Sequence, residues 1–323
     1  MNILFIIGNG FDLNLGMKTS YADFYKYYKK VKSKNDNIAK LKSHISSNNE
    51  TWADLELELG KYTKNIKQPD ELEEVFYDIL DSLSKYLKLQ EKKFDILKYG
   101  GRRIFDELGF PEKFLLEADR TELYKYKNFW ENSRWSVNIM SLNYTQTVEK
   151  FIGEKIINIQ IGTHHSSIPI TLKKVEHIHG YVDTKMIIGV NDISQIKNKR
   201  FHKNPDILEI IIKNLSNQVQ KHLIDVSFKE KINSANLICV FGSSIGETDK
   251  MWWELIGERL KENCKLIIYT VSDEITNNRE QRIGKIERKI KTNFLSKTNL
   301  KQEEKKEVEK NIYVGINTQM FKM

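Results

Sequence analysis

The sequence predicts an α/β fold with a doubly wound, mainly parallel sheet of the Rossmann type and a large all-helical insertion. An apolar, β-branched run opens the chain and ends at Gly8-Asn9-Gly10, which is typical of a buried strand followed by a tight turn. After about residue 135, short apolar runs alternate with helical patterns, which favours a parallel sheet covered on both faces. Between these regions apolar residues recur at helical spacing, so residues 25–134 are predicted as the insertion.

Each element is predicted from its local pattern. Strands are expected at residues 2–8, 136–142, 155–161, 175–179, 186–188, 237–241, 266–271 and 312–316. Helices are expected at residues 144–152, 206–225 and 249–263, with a charged, mostly helical segment at 279–310. Ser20-x-x-Asp23 is a capping-box pattern for a helix that begins after Ser20. The predicted nucleotide-binding α/β domain therefore comprises residues 1–24 and 135–323.

Composition excludes several classes of protein. The 323 residues are 40% hydrophobic, which is typical of a globular chain. No run approaches the roughly 20 apolar residues of a membrane helix, and the first strand lacks the flanks of a signal peptide. With only Cys239 and Cys264, a disulfide scaffold and a cysteine-built zinc site are excluded, and a reducing cytoplasm is expected. The net charge of +8 comes from lysines mixed with glutamates, a pattern that argues against a nucleic-acid partner.

Glycines and small polar residues follow four of the predicted strands. They are Gly8, Asn9, Gly10 and Asp12 after the first strand, Asn143 after the second, His179 at the end of strand 175–179, and Gly242, Ser243, Ser244 and Asp249 after strand 237–241. The carboxyl ends of parallel strands meet at one edge of a doubly wound sheet, and ligands bind at that edge. Four such ends together predict a binding site.

Several of these residues also have a purely structural interpretation. A strand followed by Gly-x-Gly is often only a turn, and the third glycine of the Rossmann pattern is absent. Asp23 is explained by helix capping and Asn143 by a turn. Ser243 and Ser244 are explained as caps of the next helix. Asp249 lies at the start of that helix, where the helix dipole favours a carboxylate.

The histidines allow two interpretations. His177 and His179 lie two apart on a predicted strand and therefore face the same side, and His164 and His165 lie shortly upstream. Together they form a rival metal site. A single histidine at a strand end, followed by glycine, instead fits a general base, with His177 as its packed, hydrogen-bonded neighbour.

Four motifs in this order resemble one family. They are GNGFDLNLGMKTSYADF, LNYTQTVEK, HIHG and FGSSIGETD, and TWADLE at residues 51–56 resembles the W-x-x-L-E element of the same family. Over most of its length the chain is thereby similar to the AbiH-type bacteriophage abortive infection proteins. That family is in turn similar, more distantly, to sirtuin-like NAD-binding domains, which implies a sirtuin-like fold and a role in antiviral defence.

The sirtuin comparison also implies roles for individual residues. Gly8, Gly10, Asp23 and Phe24 are placed in the NAD pocket, Gly242, Ser243 and Ser244 on the adenosine side, Asn143 as the asparagine of the catalytic pocket, and His179 as the base. Deacylases of that fold carry four zinc-binding cysteines, which this chain lacks, and it has Thr145 and Tyr25 where they have an aspartate and an arginine. The resemblance therefore implies hydrolysis of NAD without a metal rather than protein deacylation.

A mechanism follows as a hypothesis. Cleavage of the nicotinamide–ribose bond passes through an oxocarbenium-like state, as at other glycosidic bonds. The amide of Asn143 is expected to hold nicotinamide and ribose, and His179 to activate water or a ribose hydroxyl. The backbone of residues 8–10 is expected to meet the pyrophosphate, and Asp12 or Asp249 a ribose hydroxyl.

Two other functions are consistent with the same residues. One is a metal-dependent nuclease or phosphodiesterase that uses the histidines and nearby aspartates. The other is a non-catalytic sensor of NAD or ADP-ribose. A phage-derived trigger and a homo-oligomer formed through the helical insertion are the expected partners.

Overall fold

The computed structural model describes residues 1–48, 50–99, 104–153, 157–275 and 280–322. At its centre is a seven-stranded sheet in the order β3-β4-β2-β1-β5-β6-β7. The strands are β1 (Asn2–Ile7), β2 (Trp135–Ser141), β3 (Ile159–His164), β4 (Ile168–His177), β5 (Leu237–Phe241), β6 (Lys265–Thr270) and β7 (Ile312–Ile316). Neighbouring strands run parallel, except that β3 runs antiparallel to β4. Without that edge strand the order is that of a Rossmann sheet.

The helices of the described residues lie between and after these strands. They are α1 (Gly10–Asn14), α2 (Tyr21–Tyr28), α3 (Asp36–Ser47), α4 (Leu55–Tyr62), α5 (Pro69–Lys93), α6 (Phe105–Gly109), α7 (Glu117–Lys127), α8 (Thr147–Ile152), α9 (Pro205–Ile211), α10 (Lys213–Val219), α11 (Ile224–Ser234), α12 (Lys250–Arg259), α13 (Ile283–Ser296) and α14 (Gln302–Glu309). None of these helices, as far as the chain is described, combines the length and the apolar character that crossing a membrane requires.

The central strand β1 marks the switch point of the sheet. Ile7, its last residue, pairs with Ser141 at the end of β2 and with Phe241 at the end of β5. The segments that follow these three strands therefore leave the sheet side by side. In open α/β sheets this edge is where ligands bind.

Both faces of the sheet are covered by helices, so the predicted doubly wound arrangement is confirmed. Alternate residues of β1 point to opposite faces, as expected for a strand buried on both sides. Ile3, Phe5 and Ile7 belong to one core, with residues of α1, α6, α7 and α8. Leu4 and Ile6 belong to a second core, with residues of α11, α12, α13 and α14.

A third core holds most of the helices that follow β1. Residues of α2, α3, α4 and α5 pack there with residues of α9. Trp52 and Leu55 of the TWADLE segment are fully buried in it. Over the described part of residues 25–134 the structure contains helices and no strand, in agreement with the sequence pattern. Because α6 and α7 pack on the sheet instead, the boundaries of a separate insertion stay a prediction.

Three predicted strands differ from the structure. Residues 186–188 form no strand; Ile187 instead donates its N–H to the carbonyl of His179, across a turn, at 2.9 Å. β4 begins at Ile168, seven residues before the predicted start, because it pairs with both β2 and β3. The prediction missed these residues since Lys173 and Lys174 interrupt the apolar pattern of the strand. The strand predicted at 155–161 is found at Ile159–His164, and residues 155–156 lie outside the described residues.

The helix predicted at residues 206–225 is also wrong in its extent. The chain forms three helices there, α9, α10 and α11. Ile212 separates the first two, with an extended backbone at φ −97° and ψ 115°, and forms a β-bridge with Val190. The apolar periodicity continues across this break, so the sequence pattern alone does not reveal it.

Candidate functional site

A cavity of about 830 Å³ opens at the switch point. Its described lining comprises residues 8–10, 13–14, 20–21, 53–54, 56, 142, 144, 179, 241–249, 269–271, 293, 297, 318 and 320. The predicted site residues in this lining are Gly8, Asn9, Gly10, His179, Gly242, Ser243, Ser244 and Asp249. Four others, Asp12, Asp23, Phe24 and Asn143, lie outside it. The volume is within the range of known ligand sites.

The glycines after β1 and β5 pack against each other. Gly8 donates its N–H to the carbonyl of Phe241 at 2.9 Å, and Gly10 donates to the carbonyl of Gly242 at 2.7 Å. A Cβ on Gly10 would lie 2.5 Å from the Cα of Gly242, which itself has φ +68°. Glycine is therefore required for this close approach of two backbones. The backbone N–H groups of Gly8 and Gly10, which were predicted to bind the pyrophosphate, therefore already donate hydrogen bonds within the protein.

The loop after β5 is held in a strained conformation. Ile245 has φ +54°, a left-handed conformation that β-branched residues rarely adopt. Its N–H donates to Ser243 Oγ at 3.1 Å, and its side chain is buried. Ser244, beside it, is exposed and lines the cavity. Backbone strain of this kind concentrates at functional sites, which agrees with the predicted role of this loop.

His179 and Asp249 form a hydrogen-bonded pair in the wall of the cavity. His179 Nε2 lies 2.9 Å from Asp249 Oδ1, and the histidine is only 3% exposed. Burial would raise the pKa of Asp249, but Lys213 and His179 outweigh it and hold that pKa well below its usual range. An ionised Asp249 accepts the hydrogen bond, so Nε2 carries the proton. The other ring nitrogen, Nδ1, is buried and has no hydrogen-bond partner among the described residues.

Lys213 lies behind this pair and joins it to Glu56. Its Nζ is 3.0 Å from Asp249 Oδ1 and 2.7 Å from Glu56 Oε2. Burial would lower the pKa of Lys213, but Asp249 and Glu56 outweigh it and raise that pKa above its usual value. Tyr144 donates its hydroxyl to Glu56 Oε1 at 2.6 Å. The result is a buried chain of charged and polar groups that runs from Tyr144 to His179.

The start of α4 and the start of α2 supply a further part of the lining. Asp54 caps α4 by accepting the N–H of Leu57 at 3.0 Å. A Cβ built on Gly246 would lie 3.8 Å from Asp54 Oδ2, so this carboxylate faces the loop after β5. Burial raises the pKa of Asp54, and the charge of Glu56 raises it further. Tyr21 also lines the cavity, and its pKa is raised by burial and by Glu56 and Asp54.

Asn143 and Asp12 form a second polar cluster, and neither belongs to the described lining of the cavity. Asn143 donates its Nδ2 to Asp12 Oδ1 at 3.4 Å, and Thr145 donates its hydroxyl to Asp12 Oδ2. Burial raises the pKa of Asp12 to about 6, although hydrogen bonds from Thr145 and Thr147 oppose this. The roles of Asn143 and Asp12 in ligand binding therefore stay predictions, and their contacts in this structure are internal.

His177 is a packed neighbour of this cluster, in agreement with its structural interpretation. Its Nδ1 lies 2.8 Å from the carbonyl of Asn143, and its Nε2 lies 2.6 Å from Glu149 Oε1. Burial lowers the pKa of His177, but the hydrogen bond and charge of Glu149 outweigh it, so the net shift is upward. His177 and His179 therefore have different partners although they are two residues apart.

Three residues that were predicted to bind a ligand, Asp23, Phe24 and Asn9, make contacts inside the protein instead. Ser20 Oγ accepts the N–H of Asp23 at 3.1 Å, which confirms the predicted cap of α2. Phe24 is buried in the third core and stacks on Tyr28 with ring centroids 5.2 Å apart. Asn9 lines the cavity, but its side chain donates to the carbonyl of Thr19 and accepts from the Thr19 hydroxyl.

The histidines of the rival metal site are separated in the structure. His164 stacks on Trp135, with ring centroids 3.8 Å apart, and its Nε2 lies 2.9 Å from the carbonyl of Ser133. His177 and His179 bind Glu149 and Asp249. In the portion of the chain that the structure describes, no group of three or more histidine, cysteine or carboxylate side chains is arranged to hold a metal ion.

The order of the strands and the position of the cavity define a Rossmann-type α/β protein with a potential ligand site at its switch point. Residues 4–270 match the model of the family described as bacteriophage abortive infection AbiH, and the chain belongs to that family. No curated protein matches the chain. The resemblance of its motifs to this family is thus confirmed, and the matched residues include every one of the predicted site residues.

Sequence reasoning missed several residues of the site. Glu56 and Asp54 lie in TWADLE, so the family-like motif was a usable signal, but it was assigned only to the helical segment. Lys213 gave no such signal. On one continuous helix over residues 206–225 it lies opposite the apolar stripe, where a lysine is expected in solvent. The break at Ile212 turns it inward, where its backbone N–H donates to the carbonyl of Val190 at 3.1 Å.

Proposed function

We propose that this abortive infection protein cleaves the nicotinamide–ribose bond of NAD and so depletes the NAD of the infected cell. One observation carries the proposal: the His179–Asp249 pair lies in the wall of a switch-point cavity of about 830 Å³. A cavity of this size and place suits a dinucleotide. A histidine held by an ionised carboxylate suits a general base.

Other residues of the lining can stabilise the charge that develops during cleavage and bind the rest of the dinucleotide. The positive charge that develops on the ribose during cleavage is stabilised by nearby carboxylates, and Asp54, Glu56 and Asp249 all line the cavity. Ser243 and Ser244, in the loop after β5, also line the cavity, where their hydroxyls are available to the phosphates or the second ribose. This assignment replaces the amides of Gly8 and Gly10, which are engaged by Phe241 and Gly242.

The arrangement of His179 suits a resting enzyme. With Nε2 bound to Asp249, the nitrogen left to act as a base is Nδ1, which is buried. Activation would turn the imidazole or move the wall so that this nitrogen meets water or a ribose hydroxyl. A resting state also fits the biology that the family implies, because uncontrolled loss of NAD kills the host. The trigger that relieves it is expected from the phage.

A non-catalytic sensor of NAD or ADP-ribose is the second candidate. It is favoured by the position of Asn143, whose side chain donates to Asp12 instead of lining the cavity. In such a protein the same cavity would bind the nucleotide without breaking it. The helices of the third core, which supply Asp54 and Glu56, would carry the signal.

Incubation of the purified chain with NAD, followed by mass spectrometry of the products, separates these functions. An NAD glycohydrolase yields nicotinamide with ADP-ribose or its cyclic form, and Asp249→Asn slows the reaction because His179 loses its ionised partner. A sensor binds NAD and returns it intact, both without and with lysate from phage-infected cells. Nucleic-acid cleavage that is lost with a chelator, without any nicotinamide, would favour the nuclease and contradict the proposal.

A further inference from the structure

The wall of the cavity around Asp54 combines acidic and aromatic side chains. Asp54, Glu56, Glu247 and Asp249 are the carboxylates of the described lining, against one ammonium group, that of Lys297. Lys297 is itself bound to Glu247. Lys213, behind the wall, is shared between Glu56 and Asp249. The charge that the cavity presents to a ligand is therefore negative, and the carboxylate of Asp54 has no cation of its own among the described residues.

Two tyrosine rings stand beside these carboxylates. Tyr21 and Tyr144 both line the cavity, and the ring of Tyr144 has its centroid 6.4 Å from that of His179. Burial and neighbouring carboxylates raise the pKa of both phenols well above the usual value, so both rings are neutral at physiological pH. Neutral aromatic faces with carboxylates nearby form the environment that recognises organic cations.

An unsatisfied polar atom points to a ligand at the same place. His179 is 3% exposed and belongs to the lining, and its Nδ1 has no hydrogen-bond partner in the described part of the chain. Buried polar atoms in native proteins normally have a partner. A ligand group with an N–H or O–H, such as a carboxamide or a ribose hydroxyl, would supply it after a small movement of the ring.

We propose that Tyr21, Tyr144, Asp54 and Glu56 form a subsite for an N-substituted pyridinium cation, with Asp54 as its main electrostatic determinant. The proposal rests on the proposed function, in which that cation is the oxidised nicotinamide ring of NAD. It adds a specificity: the site distinguishes oxidised NAD from NADH by the charge of the ring. Glu56 is already bound through both oxygens to Tyr144 and Lys213, which leaves Asp54 as the carboxylate whose charge is available to the ligand.

The test uses two ligands that differ in ring charge and resist cleavage. They are carba-NAD⁺, in which a carbon replaces the ring oxygen of the nicotinamide ribose, and its reduced form. Isothermal titration calorimetry gives the affinity of each for the wild type, Asp54→Asn and Asp36→Asn. Asparagine at 54 retains the oxygen that caps α4, so the fold is preserved. Asp36 is an exposed carboxylate in the first turn of α3, outside the cavity, and is the matched control.

The wild type and Asp36→Asn are expected to bind the oxidised form about tenfold more tightly than the reduced form, and Asp54→Asn to lose most of this preference. Equal affinities in the wild type, or a preference that survives Asp54→Asn, would overturn the subsite. Nicotinamide release from NAD is measured on the same preparations. A preference for the oxidised form without release, both in the absence and in the presence of lysate from phage-infected cells, would contradict the hydrolase and leave the subsite standing. Release without a preference for the oxidised form would support the hydrolase and contradict the subsite. Failure to bind either analogue would contradict both the hydrolase and the subsite.

Discussion

Lys213 Nζ lies 3.0 Å from Asp249 Oδ1, and this lysine is only 5% exposed. The contact holds Asp249 in place as the hydrogen-bond partner of His179. The same ammonium group binds Glu56 at 2.7 Å, so one cation is shared by carboxylates from the start of α4 and from the loop before α12. Residues that are far apart in the sequence thereby form a single buried network. Lys213 holds this network together, because its removal leaves two buried carboxylates without a cation.

Lys213→Met is expected to destabilise the protein by roughly 3 kcal/mol, because Asp249 and Glu56 would stay buried without their cation. The measurement is the free energy of unfolding in urea. Lys203→Met, which changes an exposed lysine before α9, is the matched control and should change stability little. Adding Glu56→Gln to Lys213→Met should recover part of the loss. A loss below about 1 kcal/mol for Lys213→Met would contradict the network.

Gly10→Ala is expected to cost about 2 kcal/mol or more, because its Cβ would lie 2.5 Å from the backbone of Gly242. Gly16→Ala is the comparison. Gly16 has φ +73° but open space around it, so the substitution costs only about 1 kcal/mol of backbone strain. Urea unfolding of the two variants measures the difference. If Gly10→Ala is tolerated as well as Gly16→Ala, the two glycine loops do not pack as described.

Glu149→Gln is expected to make stability less dependent on pH. The pKa of His177 is raised in the folded protein, so the protonated histidine contributes stability that is full below the unfolded pKa of about 6.5 and is lost as the pH rises through the folded value. The variant removes the charge that holds this proton. Relative to the wild type it should lose on the order of 1 kcal/mol more at pH 6 than at pH 9. Thermal unfolding at the two pH values measures this, and an equal loss at both would show that His177 is not held charged by Glu149.

The sheet and its switch point were largely predictable from the sequence. Strands that are buried in a parallel sheet have short, continuous apolar sequences. Because β5 and β7 show this pattern, their predicted bounds agree with those in the structure. The glycines after β1 and β5 were predicted to lie together at the edge of the sheet, and they do. Their close packing was not predictable, since it depends on two loops separated by more than 230 residues.

The candidate site was predictable only where it follows a strand. His179 and Asp249 were found by that rule, and both line the cavity. Lys213 was not, because the break at Ile212 that turns it inward leaves the apolar pattern unchanged. Asn143 also follows a strand, yet its side chain is held by Asp12, because a strand end fixes the position of the backbone and not the direction of the side chain.

Release of nicotinamide from NAD is the direct test of whether His179 catalyses the cleavage of NAD. The wild-type chain, His179→Ala and His165→Ala are each incubated with NAD, with and without lysate from phage-infected cells, and nicotinamide is quantified by chromatography. His165 is exposed, belongs to the rival metal site and lies outside the cavity. We expect release by the wild type and His165→Ala, and a rate at least about 100-fold lower for His179→Ala. Absence of release by the wild type under both conditions, or an undiminished rate for His179→Ala, would contradict it.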